Sequence, residues 1–77
     1  MFERITISPE VHFGKPCVAG TRITVEQVLE LIQDGISFAG ILSDYYPALT
    51  RQDLYACMQY AIALVAAEDI DLTPAVI

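Results

Sequence analysis

The chain has 77 residues, with four basic and ten acidic side chains, a net charge of −6, and 55% hydrophobic residues. This length gives one small domain with a modest core, and the charge disfavours tight nucleic-acid binding by the chain alone. The acidity suits a basic partner or simply keeps an apolar small protein soluble, and composition leaves both interpretations open.

Two cysteines, Cys17 and Cys57, and one histidine, His12, limit the covalent and metal chemistry of the chain. They are too few and too far apart for a zinc site, and the start of the chain lacks the pattern of a secretory signal. We therefore expect a cytoplasmic protein with free thiols. The longest apolar run, residues 61–67, is far short of the roughly 20 residues that cross a membrane. The surplus apolar surface predicts protein contacts and a homodimer.

The first 23 residues are predicted to form a strand and a turn-rich loop. Residues 2–8 alternate between two faces as a short strand does. Prolines and glycines interrupt residues 9–22, so only a very short second strand fits there, at Cys17–Val18.

The first of three predicted helices begins after Thr24, which has Gln27 at the capping-box position. Four apolar residues then recur at helical spacing and define one face: Val25, Val28, Leu29 and Ile32. Gly35 is the expected stop signal at the C-terminal end.

A second, shorter helix is predicted from Phe38 to Tyr45, with Ser37 as its cap. Pro47 ends it, because the residue before a proline disfavours helix. The connection from Pro47 to Thr50 has the length of the turn in a helix-turn-helix, but it is also a common link between any two helices.

The third helix is predicted from Arg51 to about Glu68, with Thr50 as cap and Asp53 at the capping-box position. Its core face is predicted to carry Leu54, Met58, Ala61, Ile62 and Val65, and its opposite face Gln52, Tyr55, Ala56, Gln59 and Ala63. The helix is apolar over more than half its girth, so partner or dimer contacts are expected on it and on the tail. The residues expected to make them are Tyr60, Leu64, Leu72, Val76 and Ile77.

These elements predict a mainly α single domain. Residues 24–68 would form a trihelical helix-turn-helix core, homeodomain-like or winged. A short N-terminal strand or hairpin in residues 1–23 would precede it, and residues 69–77 would form a tail.

Residues 14–22, GKPCVAGTR, contain the ingredients of a phosphate-binding loop in the wrong order. A Walker loop places its lysine at the helix start, whereas Lys15 follows the first glycine and the helix begins only after Thr24. We interpret the stretch as a glycine-bounded turn leading into the first helix. Lys15 and Arg22 would then be exposed cations that could meet an anionic group on a partner.

No catalytic set of residues stands out, so we expect no enzyme activity, cofactor or metal. His12 lacks the carboxylate pair, serine or metal cluster that would make it a catalytic base. Arginine and glutamine on the outer face of the third helix could contact DNA bases or phosphates. The candidate DNA-contacting residues are Arg51, Gln52, Tyr55 and Gln59. An exposed helix face or dimer surface is the alternative, because lysine and arginine are scarce on these helices.

The run from Gly14 to Val25, GKPCVAGTRITV, resembles the GKPxxxGTRIxV signature of a bacterial family of unknown function, number 433. Later segments fit as well, including residues 29–35 and 41–47, and the resemblance covers roughly residues 5–65. It implies a small helix-turn-helix domain, and many members of that family resemble antitoxins. The implied partner is a PIN-like nuclease toxin encoded by an adjacent gene, and operator DNA is a second candidate.

Three functions therefore remain open. The first is an antitoxin-like inhibitor that neutralises a nuclease and autoregulates its operon. The second is a stand-alone DNA-binding regulator. The third is a structural or adaptor dimer that does not bind DNA.

Overall fold

The computed structural model of the chain describes residues 3–67. Within them, a two-stranded antiparallel hairpin at the N-terminal end is followed by three helical segments. The prediction of a mainly α fold with a short N-terminal hairpin is confirmed. Three of the predicted contact residues, Leu72, Val76 and Ile77, lie outside the described residues.

The hairpin pairs β1, Ile5–Thr6, with β2, Cys17–Val18. The second strand lies where the sequence predicts it, but the first is shorter than the predicted strand over residues 2–8. The pairing is short because β2 follows Pro16, which has no N–H to donate, and ends before the turn at Gly20. A 3₁₀ turn, His12–Gly14, lies in the loop between the strands.

Helix α1, Val25–Gln33, is bounded by the two signals that the sequence predicts. Thr24 Oγ1 accepts a hydrogen bond from the Gln27 amide at 3.0 Å, and Gln27 Oε1 accepts one from the Thr24 amide at 2.9 Å. This capping box satisfies two amides that have no partner within the helix. At the other end Gly35 adopts a φ of +86°, a conformation that glycine reaches without strain.

Helix α2, Phe38–Gly40, continues into a π-helical turn, Ile41–Tyr45. Ser37 caps it by accepting a hydrogen bond from the Gly40 amide at 3.0 Å. The extent of the predicted second helix is confirmed, but its second half is wider than an α-helix. The Tyr46 amide donates to the Ile41 carbonyl at 2.7 Å, the i→i+5 spacing of a π turn.

Helix α3, Arg51–Ala67 in the described part of the chain, contacts both α1 and β1. Its predicted capping box is confirmed: the Thr50 amide donates to Asp53 Oδ2 at 2.8 Å, and the Asp53 amide donates to Thr50 Oγ1 at 3.2 Å. A local i, i+3 pattern therefore fixes where α3 begins.

The core joins the hairpin to one face of each helical segment. Its buried apolar residues are Ile5, Val18, Val25, Val28, Ile41, Leu49, Leu54, Ala56 and Cys57. The buried residues of α3 all lie in its first two turns. Tyr60 still packs against the core, and the described helix beyond it is mostly exposed.

The predicted core face of α3 is partly wrong. Ile62 and Val65 were assigned to it, yet they are 65% and 68% exposed, and Ala56, assigned to the outer face, is buried. The helix is apolar nearly all the way round, so periodicity alone defines its inner face poorly. The small hairpin and α1 cover only the part of α3 that they can reach.

Candidate interaction surfaces

The glycine-threonine-arginine segment forms a tight turn fastened by hydrogen bonds. Thr21 Oγ1 donates to the Val18 carbonyl at 2.8 Å and accepts from the Ile23 amide at 3.0 Å. The Val18 and Thr21 amides donate to the carbonyls of Ile23 and Val18 at 2.9 and 3.0 Å, and Gly20 has a φ of +79°. These amides are engaged within the turn, so they cannot cradle a phosphate.

The two cations of this loop have different surroundings. Lys15 Nζ lies 3.2 Å from Glu26 Oε1, and both side chains are largely exposed. An exposed pair of this kind contributes little to stability, but it neutralises the lysine locally. Arg22 is exposed and forms no ion pair within residues 3–67.

Two of the predicted DNA contacts, Arg51 and Tyr55, both pack against the ring of Phe38, a residue that was not among the predicted contacts. The Arg51 guanidinium lies 5.5 Å from the centroid of the Phe38 ring, in a cation–π arrangement. The Tyr55 ring packs edge-on against the same ring, with centroids 5.1 Å apart. Phe38 at the start of α2 thus holds the side chains of Arg51 and Tyr55 on the exposed side of the first turns of α3. The sequence feature that could have identified Phe38 is an aromatic residue at the first position of a short helix.

The other two predicted DNA contacts are separated from each other. Gln52 Oε1 accepts a hydrogen bond from Arg4 Nη2 at 2.7 Å, while Arg4 Nη1 forms an ion pair with Asp53 Oδ1 at 3.0 Å. Gln59 is exposed two turns further along α3. Sequence reasoning missed Arg4, because its partners lie 48 and 49 positions away. Apart from Arg51, the cation nearest the start of α3 is therefore Arg4, and its charge is already balanced by Asp53.

Asp53 connects the cap of α3 to this ion pair. Burial alone would raise the pKa of Asp53, but the Thr50 amide, Arg4 and the Thr50 hydroxyl all stabilise the ionised form, and the pKa lies below its ordinary 3.8. Asp53 therefore stays charged at neutral pH, close to the core.

Both cysteines lie in the buried surroundings typical of structural, unreactive thiols. Burial, with a further contribution from nearby Asp53, raises the pKa of Cys57 to about 11. Cys17 is buried as well, and its Sγ lies 3.4 Å from the Lys15 carbonyl oxygen. Both thiols are free. Burial makes both thiols hard to reach, and the raised pKa of Cys57 also makes that thiol a poor nucleophile.

The predicted contact residues Tyr60 and Leu64 line a groove between α1 and the second half of α3. The groove encloses about 490 Å³, and Leu29 from α1 and Ala61 from α3 contribute to its apolar lining. Two carboxylates of α1, Glu26 and Glu30, also line it, together with Lys15, the ion-pair partner of Glu26. An apolar cleft with an acidic border is therefore available to a partner.

A second depression continues this cleft towards the loop of the hairpin. It is lined by His12, Phe13 and Lys15 together with Glu26 and Glu30, and it shares its last three residues with the groove. Phe13 is fully exposed and has a φ of +57°, and His12 has a φ of +51°. Such backbone strain at non-glycine residues is a feature of functional loops.

We call the combined area the acidic groove surface. Its defining residues are Phe13, Glu26, Leu29, Glu30, Tyr60 and Leu64. The sequence pointed to two of them, Tyr60 and Leu64. The only hint of Phe13 is an aromatic residue in a loop bounded by prolines.

Residues 3–67 contain neither a candidate metal site nor a membrane-spanning helix. No cluster of three histidine, cysteine, aspartate or glutamate side chains is placed to hold a metal ion. Among the described helices, none combines the length and the apolar character needed to span a bilayer.

Residues 5–61 match the family model described as Protein of unknown function (DUF433). This match covers more than half of the chain, so the chain belongs to that family, and the family resemblance of the glycine-rich segment is confirmed.

One solved structure is similar, that of a DUF433 member protein from Anabaena variabilis ATCC 29413 at 2.00 Å resolution. It gives a TM-score of 0.72 and 33% identity, and the match covers 78% of this chain. The chain spans only 58% of the length of that relative. Comparison with curated proteins gives no match.

Proposed function

We propose that the chain is an antitoxin-like inhibitor that binds a nuclease, PIN-like by family resemblance, through the acidic groove surface. The observation that carries the proposal is the pairing of exposed apolar side chains with carboxylates. Phe13 and Leu64, which are 100% and 50% exposed, flank the region of Glu26 and Glu30. The proposal gives the chain no catalytic step, and both proteins would act in the cytoplasm.

Charge complementarity supports a nuclease as the occupant. An enzyme that cleaves nucleic acid must attract phosphates, so it presents a basic surface. Our chain carries a net charge of −6. Glu26 already faces Lys15, which leaves Glu30 as the carboxylate on this surface with no ion pair within residues 3–67. Complementary charge accelerates association and selects the partner.

Apolar contacts would supply most of the affinity. Hot spots at interfaces are buried aromatic and aliphatic side chains surrounded by a polar rim. Phe13, Tyr60 and Leu64 have the chemistry and position of such anchors, and the carboxylates of α1 have the position of the rim. Burying a side chain of this size contributes about 1.5–3 kcal/mol.

Co-expression with the product of the adjacent gene tests the proposal. We expect the chain to restore growth to cells that produce that nuclease and to purify with it as a stable complex. Leu64→Glu should abolish both effects. Ile7→Glu is the matched control, because it makes the same kind of change at an apolar residue of similar exposure that lies outside the groove. Absence of complex and of rescue would refute the antitoxin function.

A DNA-binding regulator is the second candidate, favoured by the exposed side of the first two turns of α3. There Arg51 and Tyr55 are held on Phe38, next to Gln52. A fragment of the gene's own promoter should then be retarded in a salt-dependent way. Arg51→Ala should weaken this binding, whereas Arg22→Ala removes an equal charge elsewhere and should not. If the two variants bind the promoter fragment equally well, this face of α3 does not contact DNA.

A further inference from the structure

The side of α3 that faces away from the core has an unusual property. From Tyr55 to Ala67 the helix contains no charged residue, which corresponds to about 20 Å of helix at 1.5 Å per residue. Most exposed helix faces of soluble domains carry charges. We name four residues of this side the uncharged stripe: Tyr55, Met58, Ile62 and Val65.

The spacing of the uncharged stripe is that of a helix-packing seam. Its members follow one another at intervals of three, four and three residues, the pattern of a and d positions in a coiled coil. Tyr55, Ile62 and Val65 are half to two-thirds exposed, and Met58 is partly buried. A contiguous apolar strip of this kind is a sign of an interaction site.

We propose that the uncharged stripe packs against the same stripe of a second copy of the chain, related by a twofold axis. At a twofold interface each side chain meets residues of its own patch, so a patch that carries charges of one sign would repel its copy. Each chain carries a net charge of −6, and the stripe is where two copies can approach with least repulsion.

The residues beside the stripe support this occupant. Ala66 directly follows Val65 and is small enough for two helix backbones to approach closely. Gln59 is exposed, and its side chain both donates and accepts hydrogen bonds, so two such amides can pair with each other. Gln59 follows Met58 and so flanks the seam, a position from which polar contacts set the orientation of a helix pair.

Other occupants fit the stripe less well. DNA needs cations to neutralise its phosphates, and this part of α3 offers none. A basic partner gains more from the acidic groove surface, where Glu26 and Glu30 lie. No residue of the stripe belongs to that surface, so the dimer proposal is independent of the proposed function. One consequence is that Tyr55, predicted to contact DNA, would contact the second copy instead.

Sedimentation equilibrium and light scattering on the purified chain test the proposal. Between about 1 and about 200 µM the chain should reach twice its mass of 8.5 kDa. Ile62→Glu would place carboxylates of two copies in one apolar seam and should raise the dimer dissociation constant at least about 100-fold. Circular dichroism should show unchanged helix, because position 62 is exposed.

Ile7→Glu and Leu64→Glu are the controls. Ile7 is 58% exposed, close to the value for Ile62, but lies beside the hairpin, so the same substitution there should leave the dimer intact. Leu64 lies in the groove, and Leu64→Glu should also leave the dimer intact. The proposal is overturned if the parent chain stays monomeric throughout. It is equally overturned if Ile62→Glu dimerises like the parent, or if Leu64→Glu rather than Ile62→Glu yields monomers.

Discussion

Arg4 and Asp53, 49 positions apart in the chain, form a 3.0 Å ion pair that fastens the N-terminal hairpin to the start of α3. Asp53 uses its two carboxylate oxygens separately. Oδ1 accepts from Arg4, and Oδ2 accepts from the Thr50 amide at 2.8 Å. One side chain therefore caps the helix and anchors the hairpin. This contact positions the loop that carries Phe13 relative to the helices.

Removing the cation of this pair should destabilise the fold measurably. Arg4→Ala leaves the mostly buried carboxylate of Asp53 without a counter-charge, which we expect to cost about 1–2 kcal/mol of unfolding free energy. Arg22→Ala removes an exposed arginine that has no ion pair within residues 3–67 and should change stability by less than about 0.5 kcal/mol. Urea unfolding followed by circular dichroism measures both. Equal effects would mean that the ion pair is not significant for stability.

Acid should remove the contribution of Asp53 specifically. Its folded pKa lies below its ordinary 3.8, so the carboxylate stabilises the fold at every pH above the unfolded pKa. This contribution is lost as pH falls through the folded pKa. The stability difference between the parent and Asp53→Asn should be constant above about pH 5 and shrink below about pH 4. A difference that does not change with pH would contradict the assignment.

These two residues also show what the sequence can and cannot predict. The capping boxes of Thr24 with Gln27 and of Thr50 with Asp53 depend on residues three apart, so the local pattern predicts them. The ion pair of Arg4 depends on how the hairpin packs on α3, and no local pattern encodes that packing. The same limit explains Phe38, whose role arises only when α2 and α3 come together.

The inner face of α3 shows a different limit. Hydrophobic periodicity identifies a face when polar residues mark the other side, but few polar residues interrupt α3 beyond Tyr55. Ile62 and Val65 therefore looked like core residues, although the domain is too small to cover them. The groove escaped prediction for a related reason, since its walls come from α1 and α3.

The contribution of Gly35, which ends α1, to stability should depend on its backbone conformation alone. Gly35 has a φ of +86°, and a Cβ at this position would meet no atom within 4 Å. Gly35→Ala should therefore cost about 1 kcal/mol through strain, with no packing clash. Gly35→Asn should cost less, because asparagine tolerates the left-handed conformation. Thermal unfolding of the two variants gives the comparison. If Gly35→Ala is as stable as the parent chain, the positive φ of Gly35 is contradicted.

The two thiols should be inert in the folded protein. The pKa of Cys57 is raised to about 11, and both Cys57 and Cys17 are buried. At about pH 8 a disulfide reagent should react slowly with the native chain and rapidly with both thiols in denaturant. The colour released over time measures the reaction. Rapid stoichiometric labelling of the native chain would show that one thiol is accessible.

The binding of the nuclease tests the central claim most directly. Glu30→Lys and Glu10→Lys change the net charge equally, but Glu30 lies on the acidic groove surface and Glu10 lies in the hairpin loop outside it. Titration calorimetry of the purified chain with the adjacent gene's product should show affinity about tenfold or more weaker for Glu30→Lys. Glu10→Lys should bind within a few-fold of the parent. Equal affinities for the two variants would contradict docking at this surface.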